Sequence, residues 1–220
     1  MGTARPGVKH LNPTLQLVLV ISIVPLAFIQ ASFAEWAFHR YWLHRPWLPK
    51  GCFTSHTLVH HQLCKFEDTF HVHDEEQHEA LTFKWWGGPM LIALNVAIWL
   101  PVTWVLGANH VLSWWAAWMV SGNVFIVFAI YYAGYEGFHY LMHKPSIPWI
   151  ERSRVFRFLE RHHRIHHVRM DRNYNVLAPL ADVLLGTFTL DAAMPATTPP
   201  KARDLARRHS EFGKRLRGGS

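Results

Sequence analysis

Three uncharged apolar runs restrict what this chain can fold into more than any other feature. Leu15 to Ala34 carries no charge over twenty residues, about 30 Å as a helix and therefore one bilayer core. Met90 to Leu106 and Val111 to Tyr132 follow, joined by the tight turn Gly107-Ala108-Asn109-His110. Pro25 lies inside the first run and Pro101 inside the second; proline removes a helix donor and favours a kink. Three runs of this length point to three membrane-spanning helices, the last two forming a hairpin. Arg5 and Lys9 before the first run, with Ser32-Phe33-Ala34 at its end, allow a signal peptide as the rival reading. The run is long for a signal core, and Glu35-Trp36-Ala37-Phe38-His39 reads as the same helix leaving the membrane.

The chain holds 17 histidines in 220 residues, and most gather at the ends of these runs. His39 and His44 follow the first span, and His56, His60 and His61 come next. His139 and His143 close the hairpin, and His162, His163, His166 and His167 form the densest stretch. In an α-helix, residues three or four apart share a face. That rule pairs His56 with His60, pairs His139 with His143, and groups His163 with His166 and His167. Glu151 to His167 reads as one amphipathic helix with Val155, Phe156 and Leu159 on its apolar side. Three spans place all four clusters on one side and His110, in the hairpin turn, on the other. Twenty of the 22 Lys/Arg follow the first span and none lies in the hairpin turn, which puts the histidine side in the cytoplasm. From Lys144 onward there are fifteen Lys/Arg against seven Asp/Glu. That excess suits an anionic membrane surface or an acidic protein, and no nucleic-acid motif accompanies it.

Neutral imidazole is the commonest protein ligand for zinc, copper, nickel and iron. One structural zinc needs four ligands; ten or more clustered histidines fit two ions. Ligating histidines give their second ring nitrogen to a carboxylate or carbonyl. Glu35, four residues before His39, and Glu136, three before His139, stand where such partners would be. His71, His73 and His78 read as surface or outer residues. Cys52 and Cys64 read as ordinary thiols, since nothing pairs them at C-x-x-C spacing. A transporter would need polar residues inside its spans, where Asn95, Ser121 and Asn123 are the main ones.

The four clusters, in this order around membrane spans, resemble the histidine boxes of the fatty acid hydroxylase / sterol desaturase superfamily. The boxes are His39…His44, His56…His60-His61, His139…His143 and His163…His166-His167. The segment Asn173 to Thr187, with Pro179-Leu180-Ala181-Asp182 and Gly186-Thr187, is similar to the stretch after that family's last box, so the likeness covers residues 34–187. His139 and His143 are four apart, closer than in the carotenoid-hydroxylase relatives.

The resemblance implies an all-α membrane protein with about three transmembrane helices and a cytosolic histidine-rich cap. Residues 1–200 would be one domain and 201–220 a basic, mobile tail. It further implies a monooxygenase that hydroxylates an unactivated C–H bond of a fatty acyl or sterol-like lipid, with dioxygen and two iron ions, for which zinc can substitute in overproduced protein. Electrons would come from a ferredoxin, or from a b-type cytochrome with its reductase. The implied metal ligands are His39, His44, His56, His60, His61, His139, His143, His162, His163, His166 and His167. His162 is adjacent to its box and not the first box position in every member. Glu35, Glu136 and Asp182 are the implied outer partners. Desaturation, carotenoid hydroxylation and metal binding without catalysis are the alternatives.

Overall fold

The computed structural model describes residues 10–47, 50–72, 81–197, 200 and 204. His73, His78 and the expected tail, apart from Asp204, lie outside these. Among the described residues the chain is helical without strands. The long helices are α1 (Pro13–Phe38), α5 (Gly87–Ala97), α6 (Trp99–Ala108), α7 (Trp114–His143) and α9 (Arg154–Val168). Short helical turns fill the rest: α2 (Lys50–Phe53), α3 (His61–Leu63), α4 (Glu67–Phe70), α8 (Pro148–Glu151) and α10 (Leu180–Leu184).

Three helical stretches are long and apolar enough to cross a membrane: Pro13–Leu43, Gly87–Ala108 and Trp114–His143. The first two contain their apolar runs and extend past them; the third begins at Trp114, three residues inside the run expected from Val111, and continues beyond Tyr132 to His143. The second is interrupted between α5 and α6 at Ile98. The cause is Pro101, whose ring collides with the carbonyl four residues back, that of Ala97, where α5 stops. The outward faces remain apolar, with Ile98 61%, Trp104 64% and Ile130 68% exposed, which is surface suited to lipid rather than water.

The chain divides into two compact units, Met1–Ala31 with Trp85–Tyr132, and Ser32–Lys84 with Ala133–Ser220. In the first, polar side chains hold the apolar helices together, as expected where helices lack a hydrophobic drive to associate. Trp99 donates to Gln30 Oε1 at 2.7 Å, Asn123 donates to the Val20 carbonyl at 2.9 Å, and the Thr103 and Ser121 hydroxyls meet at 3.0 Å. Gln16 Oε1 accepts from the Ser113 backbone and hydroxyl.

In the second unit an apolar cluster of Cys64, Phe70, Val72, Leu81, Tyr135, Leu141, Met142, Phe156, Leu159 and Val176 packs the histidine-bearing segments. Cys64 is a buried member of it, and burial pushes its thiol pKa up, as fits an inert core thiol. The expected helix Glu151–His167 is two pieces, α8 and α9. Ser153 is extended (ψ 145°) and its hydroxyl accepts from the Phe156 N–H, so it caps α9 and breaks the run. Phe156 and Leu159 face the core as expected, whereas Val155 is 65% exposed.

Candidate metal centre

Two π-helical turns build half of the site. The first span leaves α-geometry at His39–Leu43, where the His44 N–H bonds the His39 carbonyl at 3.2 Å. The second π-turn, Thr54–His60, ends with the His61 N–H on the His56 carbonyl. An i→i+5 bond brings residues five apart, rather than four, onto one side. His39 therefore stands over His44, and His56 over His61. The expected face shared by His56 and His60 is corrected accordingly, because those two side chains enter different groups. The other half uses ordinary α-periodicity. His139 and His143 are one turn apart on α7, and His163, His166 and His167 lie on one side of α9.

These elements converge into two sets. His39, His44, His56, His61 and His166 form one, and His60, His139, His143 and His163 the other; within each set one nitrogen per ring lies within 4.8 Å of all the rest. Nε2 faces Nε2 at 2.8 Å for His39 and His56, 3.0 Å for His44 and His166, and 3.0 Å for His143 and His163. His167 stands beside both sets, its ring 4.3 Å from that of His61 and its Nε2 3.0 Å from that of His163. His162 joins neither, although it belongs to the implied ligands. Its Nε2 meets Asp182 Oδ2 at 3.2 Å, and its ring stacks on Phe188. Of the remaining histidines, His110 occupies the hairpin turn in a left-handed conformation (φ 56°), and His71 bonds Arg164.

Hydrogen bonds fix which nitrogens face inward. His39 Nδ1 bonds the Tyr174 carbonyl at 2.5 Å, His139 Nδ1 that of Leu81 at 2.9 Å, His143 Nδ1 that of Phe70 at 2.8 Å, and His166 Nδ1 that of Arg172 at 2.6 Å. A carbonyl only accepts, so each Nδ1 carries the proton and each Nε2 is a bare lone pair. His44 follows the same logic through Thr57, whose hydroxyl donates to the Leu43 carbonyl at 2.6 Å and accepts from His44 Nδ1. At least three lone pairs thus point into the first set and two into the second. Buried lone pairs about 3 Å apart repel unless a cation lies among them.

Protons are a poor cation here. Burial, followed by the neighbouring imidazoles, lowers the pKa of His56, His60, His61, His163 and His167 well below the ordinary value. Burial lowers His44 to about 2 and His166 to about 4. The residues present therefore suit bound metal: preformed neutral imidazoles, with no thiolate or carboxylate in either set. The Nδ1 atoms of His60, His61, His163 and His167 are buried without a hydrogen-bond partner. Such rings lose solvation with little return unless the other nitrogen is engaged.

Outer contacts depart from expectation in one respect. The places next to His39 and His139 that were assigned to Glu35 and Glu136 are taken by backbone carbonyls. The two glutamates act one step further out. Glu35 accepts from the Val176 N–H at 2.5 Å and from Asn175 Nδ2 at 3.1 Å, beside Tyr174. Glu136 accepts from the Phe83 N–H at 3.4 Å, two residues from Leu81. Asp182 is the hub of the trailing segment. Its carboxylate takes the Tyr174 N–H (2.9 Å), the Asn175 N–H (2.7 Å), the Thr187 hydroxyl (2.7 Å) and His162. Burial would raise its pKa, but those hydrogen bonds hold it below the ordinary carboxylate value. Asn173 (φ 53°) donates to the carbonyls of His162 and Thr189. Tyr174, Asn175, Asn173 and Thr187 were not singled out as site residues; the signal for them was the likeness of the segment Asn173 to Thr187 to the stretch after the last histidine box. The chain matches no protein-family model, no curated protein and no solved structure.

Proposed function

We propose that the chain is a membrane-bound monooxygenase with two iron ions, hydroxylating an unactivated C–H bond of a lipid with dioxygen and electrons from a separate donor protein. The observation that supports this most is two adjoining all-histidine sets, with inward lone pairs, in a chain with three apolar helices of membrane length. The order of the boxes, with its likeness to the fatty acid hydroxylase / sterol desaturase superfamily, points the same way. The charge bias of the sequence supports a cytoplasmic histidine side, where an electron-donor protein would have access.

When bound, the iron pair supplies the redox chemistry that dioxygen activation requires. The chain's own residues do the rest. His39, His44, His56, His61 and His166 would hold one ion and His60, His139, His143 and His163 the other. The carbonyls of Tyr174, Leu81, Phe70 and Arg172 keep their partner rings in one tautomer and orientation. The rings of Phe70 and Tyr174 cover histidines of the two sets and exclude water. The decisive experiment combines metal analysis with comparative lipid profiling of cells with and without the gene. About two metals per folded chain and a hydroxylated lipid are expected. One metal or none would overturn the two-ion reading; two metals without a lipid product would leave a metal-binding membrane protein.

A further inference from the structure

Arg40 lies on the π-turn that carries His39, with its guanidinium carbon 4.9 Å from the ring centre of Trp36 and 5.7 Å from those of Tyr41 and Tyr174. Arg45 stands 5.1 Å from Tyr41. Tyr41 stacks on Trp47, which meets the edge of Trp42. Arg164, Arg169 and Arg172 all have carboxylate partners. Among the described residues, the side chains of Arg40 and Arg45 have neither an ion pair nor a hydrogen bond. Ring faces attract the charge of a guanidinium but leave its N–H edges available. A planar fork with available donors matches a phosphate oxygen pair.

Depth along the helix suggests where that phosphate comes from. Arg40 is six residues beyond the end of the apolar run at Ala34, roughly 9 Å at helical rise. A bilayer has an apolar core of about 30 Å and a total thickness of about 40–45 Å, so this is close to the headgroup layer. Trp36, Tyr41, Trp42 and Trp47 form the aromatic belt typical of that depth. The cluster also adjoins the first histidine set. The Tyr174 ring that faces Arg40 lies 5.8 Å from the ring of His39, 5.9 Å from His44 and 5.6 Å from His166.

We propose that Arg40 and Arg45, framed by Trp36, Tyr41, Trp47 and Tyr174, bind the phosphate of an anionic phospholipid headgroup, one aromatic ring away from the five-histidine set. Lipids of that class are then the ones held beside the metal centre. This rests on the first helix spanning the membrane and is independent of which metals the histidines hold.

The test uses the full chain reconstituted in vesicles, with tryptophan quenching by brominated phosphatidylglycerol compared with brominated phosphatidylcholine. The parent protein should be quenched at a several-fold lower mole fraction of the anionic lipid. The preference should weaken at high salt, shrink in Arg45→Gln, where the residue changed is exposed, and vanish in Arg40→Gln/Arg45→Gln with metal content unchanged. Equal quenching by the two lipids, or a preference that survives the double substitution, overturns the proposal. So does a preference abolished by millimolar inorganic phosphate at constant ionic strength, which would assign the site to a free anion. A preference that appears only when an acidic protein is added also overturns it. Vesicle flotation separates the two failures: a chain that does not float with the lipid refutes the membrane reading itself.

Discussion

The guanidinium of Arg164 lies 3.9 Å from the ring centre of Phe70, the residue whose carbonyl takes the Nδ1 proton of His143. The same guanidinium donates to Glu67 at 2.6 Å, Glu160 at 2.9 Å and His71 at 3.2 Å. Arg164 thus clamps the segment 67–72 to α9, and Phe70 with it. Val72 closes the other side by donating to the His143 carbonyl at 2.7 Å. Arg164→Met should loosen Phe70 and weaken metal affinity in the four-histidine set by about tenfold, the lower end for an outer partner of a ligand. Chelator competition that resolves the two ions measures this; equal weakening of both, or of neither, contradicts it. Arg164→Lys should not restore affinity, because a point charge cannot fork between two carboxylates.

Metal content should separate neighbouring histidines on α9. His163 contributes to the four-histidine set, whereas His162 is held by Asp182. His163→Ala should therefore lose close to one metal per chain and all turnover. His162→Asn should keep both metals, at some cost in stability. His110→Ala, in the hairpin turn, should behave as the parent in metal content and product formation.

Asp182→Asn places an amide where four donors converge. Losing a hydrogen bond to a buried carboxylate costs about 1.5–3 kcal/mol, and the new amide brings its own donors to a site of four donors, so a loss of about 3 kcal/mol is expected. Chemical denaturation in detergent reads it. Because Asp182 fixes the Tyr174 backbone, whose carbonyl orients His39, the metal lost first on warming should be that of the five-histidine set.

Acid should destabilise the chelator-treated protein. In the unfolded chain His44 and His166 titrate at about 6.5, but when folded they titrate at about 2 and about 4. Between these values the unfolded chain binds more protons, so stability rises with pH up to about 6.5 and levels off above it. Lowering the pH from 7.5 to 5 should reduce the melting temperature progressively and, in the metal-loaded protein, release metal, since protons and metal compete for the same nitrogens. A flat profile over that interval would contradict the buried neutral imidazoles described here.

The amino-acid sequence by itself determined the three membrane-length helices, since run length and the absence of charge are local properties that need no partner. It also determined the pairing of His139 with His143 and the common side of α9 for His163, His166 and His167, because α-periodicity is set by the backbone, although His163 and His166 enter different sets. Tertiary structure decided the division into two sets. His56 and His61 share a side only where the chain adopts a π-turn, and the spacing of five, present in both His39…His44 and His56…His61, was the visible trace of that geometry. The partners of the rings were equally hidden, because a backbone carbonyl has no sequence signature: Tyr174, Phe70, Leu81 and Arg172 serve through groups that every residue carries. Glu35 and Glu136 were visible as costly charges at span ends, but only the fold shows them holding the strands of chain that hold the histidines. His162 shares a helix side with the clustered histidines yet turns to Asp182, a choice made by the segment packed against α9 rather than by α9 itself.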